Sequence, residues 1–167
     1  MGEQRGTLII GIGNPYRRDE AIGVIVARRL KSLLPASVTV LETTGEVGDL
    51  IEAWREAETV ILIDAVHSGA LPGTVYRFDV HRQSLPAELF PYATPGFGVV
   101  EAVELGRLLD QLPPHLIVYG IEGTNWIPGK PCSPALAAGI ERVIEQIGQE
   151  LQLHPPPQPS PESESPA

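Results

Sequence analysis

Apolar residues along the chain fall into short continuous runs and longer segments with helical spacing. Four short, mostly apolar runs predict buried strands. They cover residues 8–12, 37–41, 59–63 and 115–121. Four segments with apolar residues three and four positions apart predict helices. They cover residues 21–34, 49–57, 99–112 and 134–151. Residues 74–80 alternate between polar and apolar, which is typical of a half-exposed edge strand.

This order of elements predicts an α/β fold. Strands that alternate with helices form a twisted, mostly parallel sheet with helices on both faces, and residues 74–80 fit an antiparallel edge strand. Residues 86–96 are interrupted by prolines and glycine, so we expect a loop with room for one helical turn. Residues 1–153 form a single domain in this interpretation, and the Pro/Ser/Glu-rich residues 154–167 form a disordered tail.

Charge and cysteine content narrow the classes of function. A net charge of -9 argues against nucleic acid or an anionic membrane as the main partner. Cys132 is the only cysteine, which excludes an intramolecular disulfide and fits a reducing compartment. No run resembles a signal peptide or is long enough to cross a bilayer, so we expect a cytoplasmic protein, and a monomer.

Residues 11–23 join the first predicted strand to the first helix and carry two glycines and two acids. Gly11 and Gly13 after a strand allow a dinucleotide-binding turn as one interpretation. The third glycine of that pattern falls on Tyr16, however. Asp19 and Glu20 would also compete with a phosphate for the positive end of the helix. Nucleotide binding therefore ranks below a role for the carboxylates themselves.

Asp64 gives those carboxylates a possible partner. It follows an entirely apolar run, where a charge is costly unless it meets a metal or hydrogen-bond donors. The first and third strands of such a fold are often neighbours, so Glu20 and Asp64 can face one another across one crevice. Two carboxylates and an imidazole suit a divalent metal such as nickel or zinc. The competing interpretation is that Asp19 caps the helix and Glu20 is a solvated acid.

Four ordered blocks of sequence resemble the hydrogenase maturation proteases, over residues 7–150. The blocks are Gly11-Ile12-Gly13-Asn14, Asp19-Glu20-Ala21-Ile22-Gly23, Asp64-Ala65-Val66 with Ser68-Gly69 and Pro72-Gly73-Thr74, and Gly120-Ile121-Glu122-Gly123. The resemblance implies a three-layer α/β/α sandwich with about five strands. It also implies an endopeptidase that removes a C-terminal extension from the large-subunit precursor of a nickel-iron hydrogenase, after nickel has been inserted.

The same resemblance assigns roles to two residues. Nickel carried by the precursor is gripped by a Glu, an Asp and a His of the protease, and the first two fall on Glu20 and Asp64. A metal-polarised carbonyl or a metal-bound water would then carry the hydrolysis. We expect Asp19 to cap the helix, and Gly11, Gly13 and Gly23 to need bare backbone or close packing.

The histidine of the family is absent here. The family pattern resembles Ser-Thr-His-x-Phe-Gly, whereas this chain has Ala93-Thr94-Pro95-Gly96-Phe97-Gly98, with proline in place of the histidine. Proline cannot bind a metal through its side chain. His67, on the loop after Asp64, is the nearest substitute, although a lone loop histidine is more often a solvated surface residue. A precursor-binding factor without catalytic activity is therefore the main alternative function.

The remaining candidate residues are interpreted as structural. Cys132 lies at a helix start without a histidine partner, and Trp54 and Trp126 fit core or rim packing. Glu101 and Glu104 belong to a helix whose other side is apolar, which is typical of a solvated face. The other histidines are interpreted as structural or exposed, and they are His81, His115 and His154.

Overall fold

Strands and helices alternate through residues 6–13, 21–90, 95–123 and 131–153, which are the part of the chain that the computed structural model describes. The strands are β1 (Thr7–Ile12), β2 (Val38–Thr43), β3 (Thr59–Val66), β4 (Val75–Asp79) and β5 (His115–Glu122). The helices are α1 (Ile22–Leu33), α2 (Val47–Trp54), α3 (Val99–Leu108) and α4 (Pro134–Leu153), with a 3-10 turn at Ala87–Leu89.

The strands form one sheet in the order β2-β1-β3-β5-β4. β1 pairs with β2 and β3, and β3 with β5, all in parallel. β4 pairs with β5 antiparallel at one edge. The predicted α/β fold, its antiparallel edge strand and the adjacency of the first and third strands are confirmed.

Strands β3 and β5 are among those that continue beyond their apolar runs. β3 continues beyond Ile63, so Asp64 lies within the strand and pairs with Gly120 of β5. β5 likewise extends to Glu122, which pairs with Val66. The prediction that β3 ends before Asp64 is wrong, because pairing with β5 keeps the backbone extended through a residue whose charge suggested a strand end.

Helices cover both faces of the sheet. One apolar cluster lies between the sheet and α2 and α3, and it includes the fully buried Trp54, whose indole N–H donates to the carbonyl oxygen of Gln111 (3.0 Å). The other lies between the sheet and α1 and α4. This arrangement is the expected three-layer sandwich. Of the helices in the described residues, none combines the length and the apolar run that a bilayer crossing requires.

Helix α1 packs directly on the backbone of the two central strands. A Cβ atom added to Gly23 would stand 2.4 Å from the carbonyl oxygens of Ile12 and Ile63. A Cβ added to Gly11 would meet the carbonyl oxygen of Gly23 at 2.4 Å. The expected need for bare backbone at Gly11 and Gly23 is therefore confirmed, and it fixes the start of α1 against the ends of β1 and β3.

Gly23→Ala is expected to destabilise the protein by about 2–3 kcal/mol, because the new methyl group meets carbonyl oxygens of two strands that cannot move separately. The free energy of unfolding from urea titration measures the effect. Gly148→Ala is the matched control: Gly148 lies in α4 with nothing within 4 Å of an added Cβ. That change should stabilise the helix by about 0.5–1 kcal/mol. Equal urea midpoints for Gly23→Ala and the wild type would contradict the close packing.

Helix α4 is attached to the sheet by an ion pair whose carboxylate is buried and whose guanidinium is 43% exposed. The guanidinium of Arg77 on β4 donates to both carboxylate oxygens of Glu150 at 2.7 and 3.0 Å, and the Tyr119 hydroxyl donates to Glu150 at 2.9 Å. Glu150 is only 4% exposed. Burial, reinforced by the neighbouring carboxylate, raises the pKa of the Tyr119 hydroxyl above its usual range. Tyr119 therefore stays protonated and remains a donor at neutral pH.

Candidate functional site

Asp64 lies near the carboxyl end of the central strand β3 and is 1% exposed. Leu62 and Val66, two positions away on either side, belong to the cluster beneath α2 and α3, so the Asp64 side chain points to that face of the sheet. The backbone N–H of Ala65 donates to its Oδ1 (2.9 Å). The predicted site residue is thus a buried carboxylate near the carboxyl ends of the parallel strands, where α/β folds place their sites.

The predicted partner of Asp64, Glu20, lies outside the described residues, as does Asp19. Both ends of residues 14–20 are nevertheless anchored beside the central strands. The N–H of Gly13 donates to the carbonyl oxygen of Thr43 (2.9 Å), and Gly23 packs against Ile63, the residue before Asp64. The described residues that precede and follow the segment with Glu20 are therefore held at the end of the sheet where Asp64 lies.

Pro95, which the sequence resemblance aligns with the histidine of the family pattern, is exposed on a loop that is joined to the start of α2. The N–H of Val47 donates to the carbonyl oxygen of Gly96 (2.9 Å), and the N–H of Gly98 donates to that of Gly45 (2.8 Å). The exposed Glu101 of α3 accepts from the N–H of Gly96 (2.8 Å), so it also fixes this loop. Residue 95 is consequently held at the carboxyl-end edge of the sheet without a side chain that could bind metal.

Glu122 is a second buried carboxylate on the same face of the sheet, and the sequence alone did not single it out. It is 2% exposed, and Val118, four residues earlier on β5, belongs to the cluster beneath α2 and α3. Both of its oxygens accept from the backbone N–H of Ser68 (3.0 Å each), and one also accepts from the Ser68 hydroxyl. The signal that identified Asp64, an acid directly after an apolar run, is equally present at Glu122.

Ser68 extends these contacts to a third strand, because its hydroxyl lies 2.9 Å from the hydroxyl of Tyr76 on β4. Tyr76 pairs with Gly120, which in turn pairs with Asp64. Asp64, Gly120 and Tyr76 therefore form one row across β3, β5 and β4. Glu122 lies in the next row towards the carboxyl edge, opposite Val66. The two buried carboxylates are diagonal neighbours on one face.

The described histidines do not complete a metal site with these carboxylates. His67 is half-buried, and its backbone N–H donates to the carbonyl oxygen of Leu89 (3.0 Å). Within the described ranges, no three side chains of His, Cys, Asp or Glu are grouped so that they could hold a metal ion. His81 lies elsewhere, with its Nε2 atom 2.7 Å from the carbonyl oxygen of Pro113. Cys132 packs against the cluster beneath α1 and α4, in keeping with a structural role.

The sequence matches a known family. The sequence profile HycI, described as hydrogenase maturation protease, matches residues 24–150. The hydrogenase 2 maturation protease of Escherichia coli K12 is 26% identical over 144 residues, which cover 84% of this chain and 87% of the relative. The hydrogenase expression/formation protein HupD of Rhodobacter capsulatus is 29% identical over 150 residues, covering 87% of this chain and 70% of the relative.

Solved structures of such proteins share the fold. The hydrogenase maturating endopeptidase HybD from E. coli superposes with a TM-score of 0.73 at 25% sequence identity, covering 90% of this chain and 94% of HybD. The [NiFe] hydrogenase maturation protease HycI from Thermococcus kodakarensis superposes with a TM-score of 0.59 at 27% identity, covering 89% of this chain and 93% of that one.

Proposed function

The chain belongs to the hydrogenase maturation protease family, and on that premise we propose that it removes the C-terminal extension of a nickel-iron hydrogenase large-subunit precursor after nickel insertion. Its family and its structural relatives are hydrogenase maturation endopeptidases, so the chain is a peptidase. The alternatives, a nucleotide-binding domain or a binding factor without activity, are not favoured.

The buried carboxylate of Asp64 is the observation that supports this function most directly. Asp64 is 1% exposed on a central strand, and removing a carboxylate from water costs folding free energy that an apolar residue of similar size would not. Asp64 nevertheless lies near the carboxyl end of β3, beside the carboxyl end of β1, which the segment containing Glu20 follows in sequence. A hard oxygen donor in that place is suited to a cation brought by the substrate.

In this proposal, Glu20 and Asp64 grip the nickel that the precursor carries, and nickel is therefore part of the substrate. The grip holds the scissile peptide bond beside the two carboxylates, so that binding and orientation select precursors that already contain metal. Pro95 supplies no third ligand, and the carboxylates provide the negative charge that attracts the cation. We place the reaction in the cytoplasm, where the metal would be inserted into the precursor.

Incubation of the purified protein with its cognate large-subunit precursor tests the proposal. Intact-mass spectrometry should show that the nickel-loaded precursor loses a C-terminal peptide, whereas the nickel-free precursor stays intact. A protein that binds the loaded precursor in a pull-down but never shortens it would be a binding factor, and that outcome would overturn the proposal. Cleavage of both forms at equal rates would keep the peptidase and remove nickel as the recognition signal.

A further inference from the structure

We propose that Glu122 is a positioning residue of the proteolytic site, which fixes the loop of residues 67–74 beside Asp64. This loop, the β3–β4 loop, is the chain that directly follows the strand carrying Asp64. The inference rests on the proposed function for its catalytic part. Its structural part rests on the contacts of Glu122 alone.

The contacts of Glu122 favour a positioning role over a direct one. Both carboxylate oxygens accept from Ser68, and only 2% of the residue is exposed. A group that binds a substrate metal or takes a proton from water must reach the substrate with an oxygen atom. Glu122 instead directs its oxygens at the start of the β3–β4 loop, four residues after Asp64.

The backbone of Glu122 holds the other end of the same loop. The N–H of Gly73 donates to its carbonyl oxygen (2.8 Å), and its own N–H donates to the carbonyl oxygen of Thr74 (2.8 Å). The guanidinium of Arg142 on α4 donates to the carbonyl oxygen of Gly73 (2.6 Å). Glu122 therefore contacts the loop where it begins and where it ends, so a single residue sets its position relative to β5.

The network also connects the loop to the row of residues that contains Asp64. The Ser68 hydroxyl joins Glu122 to Tyr76, and Tyr76 pairs with Gly120, the residue opposite Asp64. Tyr76 is itself fixed by stacking on Phe78, with ring centroids 6.3 Å apart. Loss of the Glu122 side-chain contacts would free the start of the loop at Ser68, while the backbone bonds at Gly73 and Thr74 remain. Small displacements at a catalytic group are costly in rate.

Two substitutions at position 122 separate hydrogen bonding from charge. Glu122→Met keeps the size and removes every acceptor, so it should lower kcat by about 10–100-fold with little change in KM. Glu122→Gln loses the charge but can still accept from the Ser68 N–H and donate to its hydroxyl, so it should retain most of the wild-type kcat. Rates are measured on nickel-loaded precursor, per mole of folded protein.

Glu150→Met is the matched control, because Glu150 is the other buried glutamate of the described strands and helices and contacts Arg77 and Tyr119 on the opposite face. It should lower stability and leave kcat of the folded fraction unchanged.

Amide hydrogen exchange at Ser68 and Ala70 gives a second measurement, since both N–H groups donate within this network. Exchange should accelerate in Glu122→Met and stay slow in Glu150→Met.

The results distinguish failure of the positioning role of Glu122 from failure of the proposed peptidase function. If Glu122→Met cleaves like the wild type, or if Ser68 exchange is unchanged, the positioning role is overturned. If Glu122→Gln lowers kcat as much as Glu122→Met does, cleavage depends on the negative charge of Glu122 and not on its hydrogen bonds, and the positioning role is again overturned. A wild-type protein that cleaves no precursor overturns the proposed function, whereas slowed cleavage in the Glu122→Met variant alone supports both.

Discussion

Asp64→Asn should reduce cleavage of the nickel-loaded precursor on the order of 1,000-fold. Removal of one carboxylate charge from a metal-directed site withdraws several kcal/mol of stabilisation, and about 4 kcal/mol corresponds to that factor in rate. The substitution keeps the shape of the side chain, and the amide oxygen can still accept from the N–H of Ala65. The melting temperature should therefore change by no more than about 4 °C. Intact-mass time courses give the rate.

Asp79→Asn is the control for this experiment. Asp79 is likewise an aspartate of the sheet, at the end of β4, and its Oδ1 accepts from the N–H of His81. It lies at the far end of its strand from the Tyr76–Gly120–Asp64 row. Its substitution should leave the cleavage rate unchanged. If Asp64→Asn retains activity within about tenfold of the wild type, Asp64 does not carry the grip on the substrate metal, and the site assignment fails.

Arg77→Met is expected to destabilise the protein by about 3 kcal/mol. It leaves the Glu150 carboxylate, 4% exposed, without the guanidinium that neutralises it, and a buried charge that loses its partner typically costs at least this much. The Arg77 side chain is itself 43% exposed, so water already screens part of the interaction. Tyr119 would remain as a donor to Glu150, which keeps the loss at the lower end of the range. The free energy of unfolding from urea titration is the measurement.

Arg29→Met provides a matched comparison within the same chain. Arg29 also donates to both oxygens of a glutamate, Glu141, at 2.7 and 3.1 Å. The two arginines are similarly exposed, at 46% for Arg29 and 43% for Arg77, whereas Glu141 is 59% exposed and Glu150 only 4%. Water therefore screens the Arg29–Glu141 pair on both sides, and its loss should cost less than about 1 kcal/mol. Equal losses for Arg29→Met and Arg77→Met would show that burial of Glu150 does not set the strength of its ion pair.

Much of the fold follows from local sequence. Runs such as residues 59–63 contain only apolar or β-branched side chains, and a strand covered on both faces needs that composition. Ser133, directly before α4, is a residue type that commonly caps helices, and its hydroxyl accepts from the N–H of Leu136 (3.2 Å). The ends of β3 and β5 were harder to predict from the sequence, because pairing between strands extends both beyond their apolar runs.

The candidate site was predictable only in part, for a related reason. Asp64 was found because its charge follows an apolar run. The role of Glu122 depends on Ser68, 54 residues earlier, and that contact arises only when β3 and β5 pair. Arg77 and Glu150 are likewise 73 residues apart. Contacts of this kind are set by strand order and register, which a single sequence does not state.

The loop that carries Pro95 has an evolutionary consequence. Its attachment to the start of α2 is made by backbone atoms of Gly96 and Gly98, so the fold does not depend on the side chain at position 95. Two of the four proline codons differ from a histidine codon by a single base. If a histidine at this position supplies the third ligand, as the sequence resemblance implies, one base change at such a codon would restore it while the backbone bonds that hold the loop stay in place.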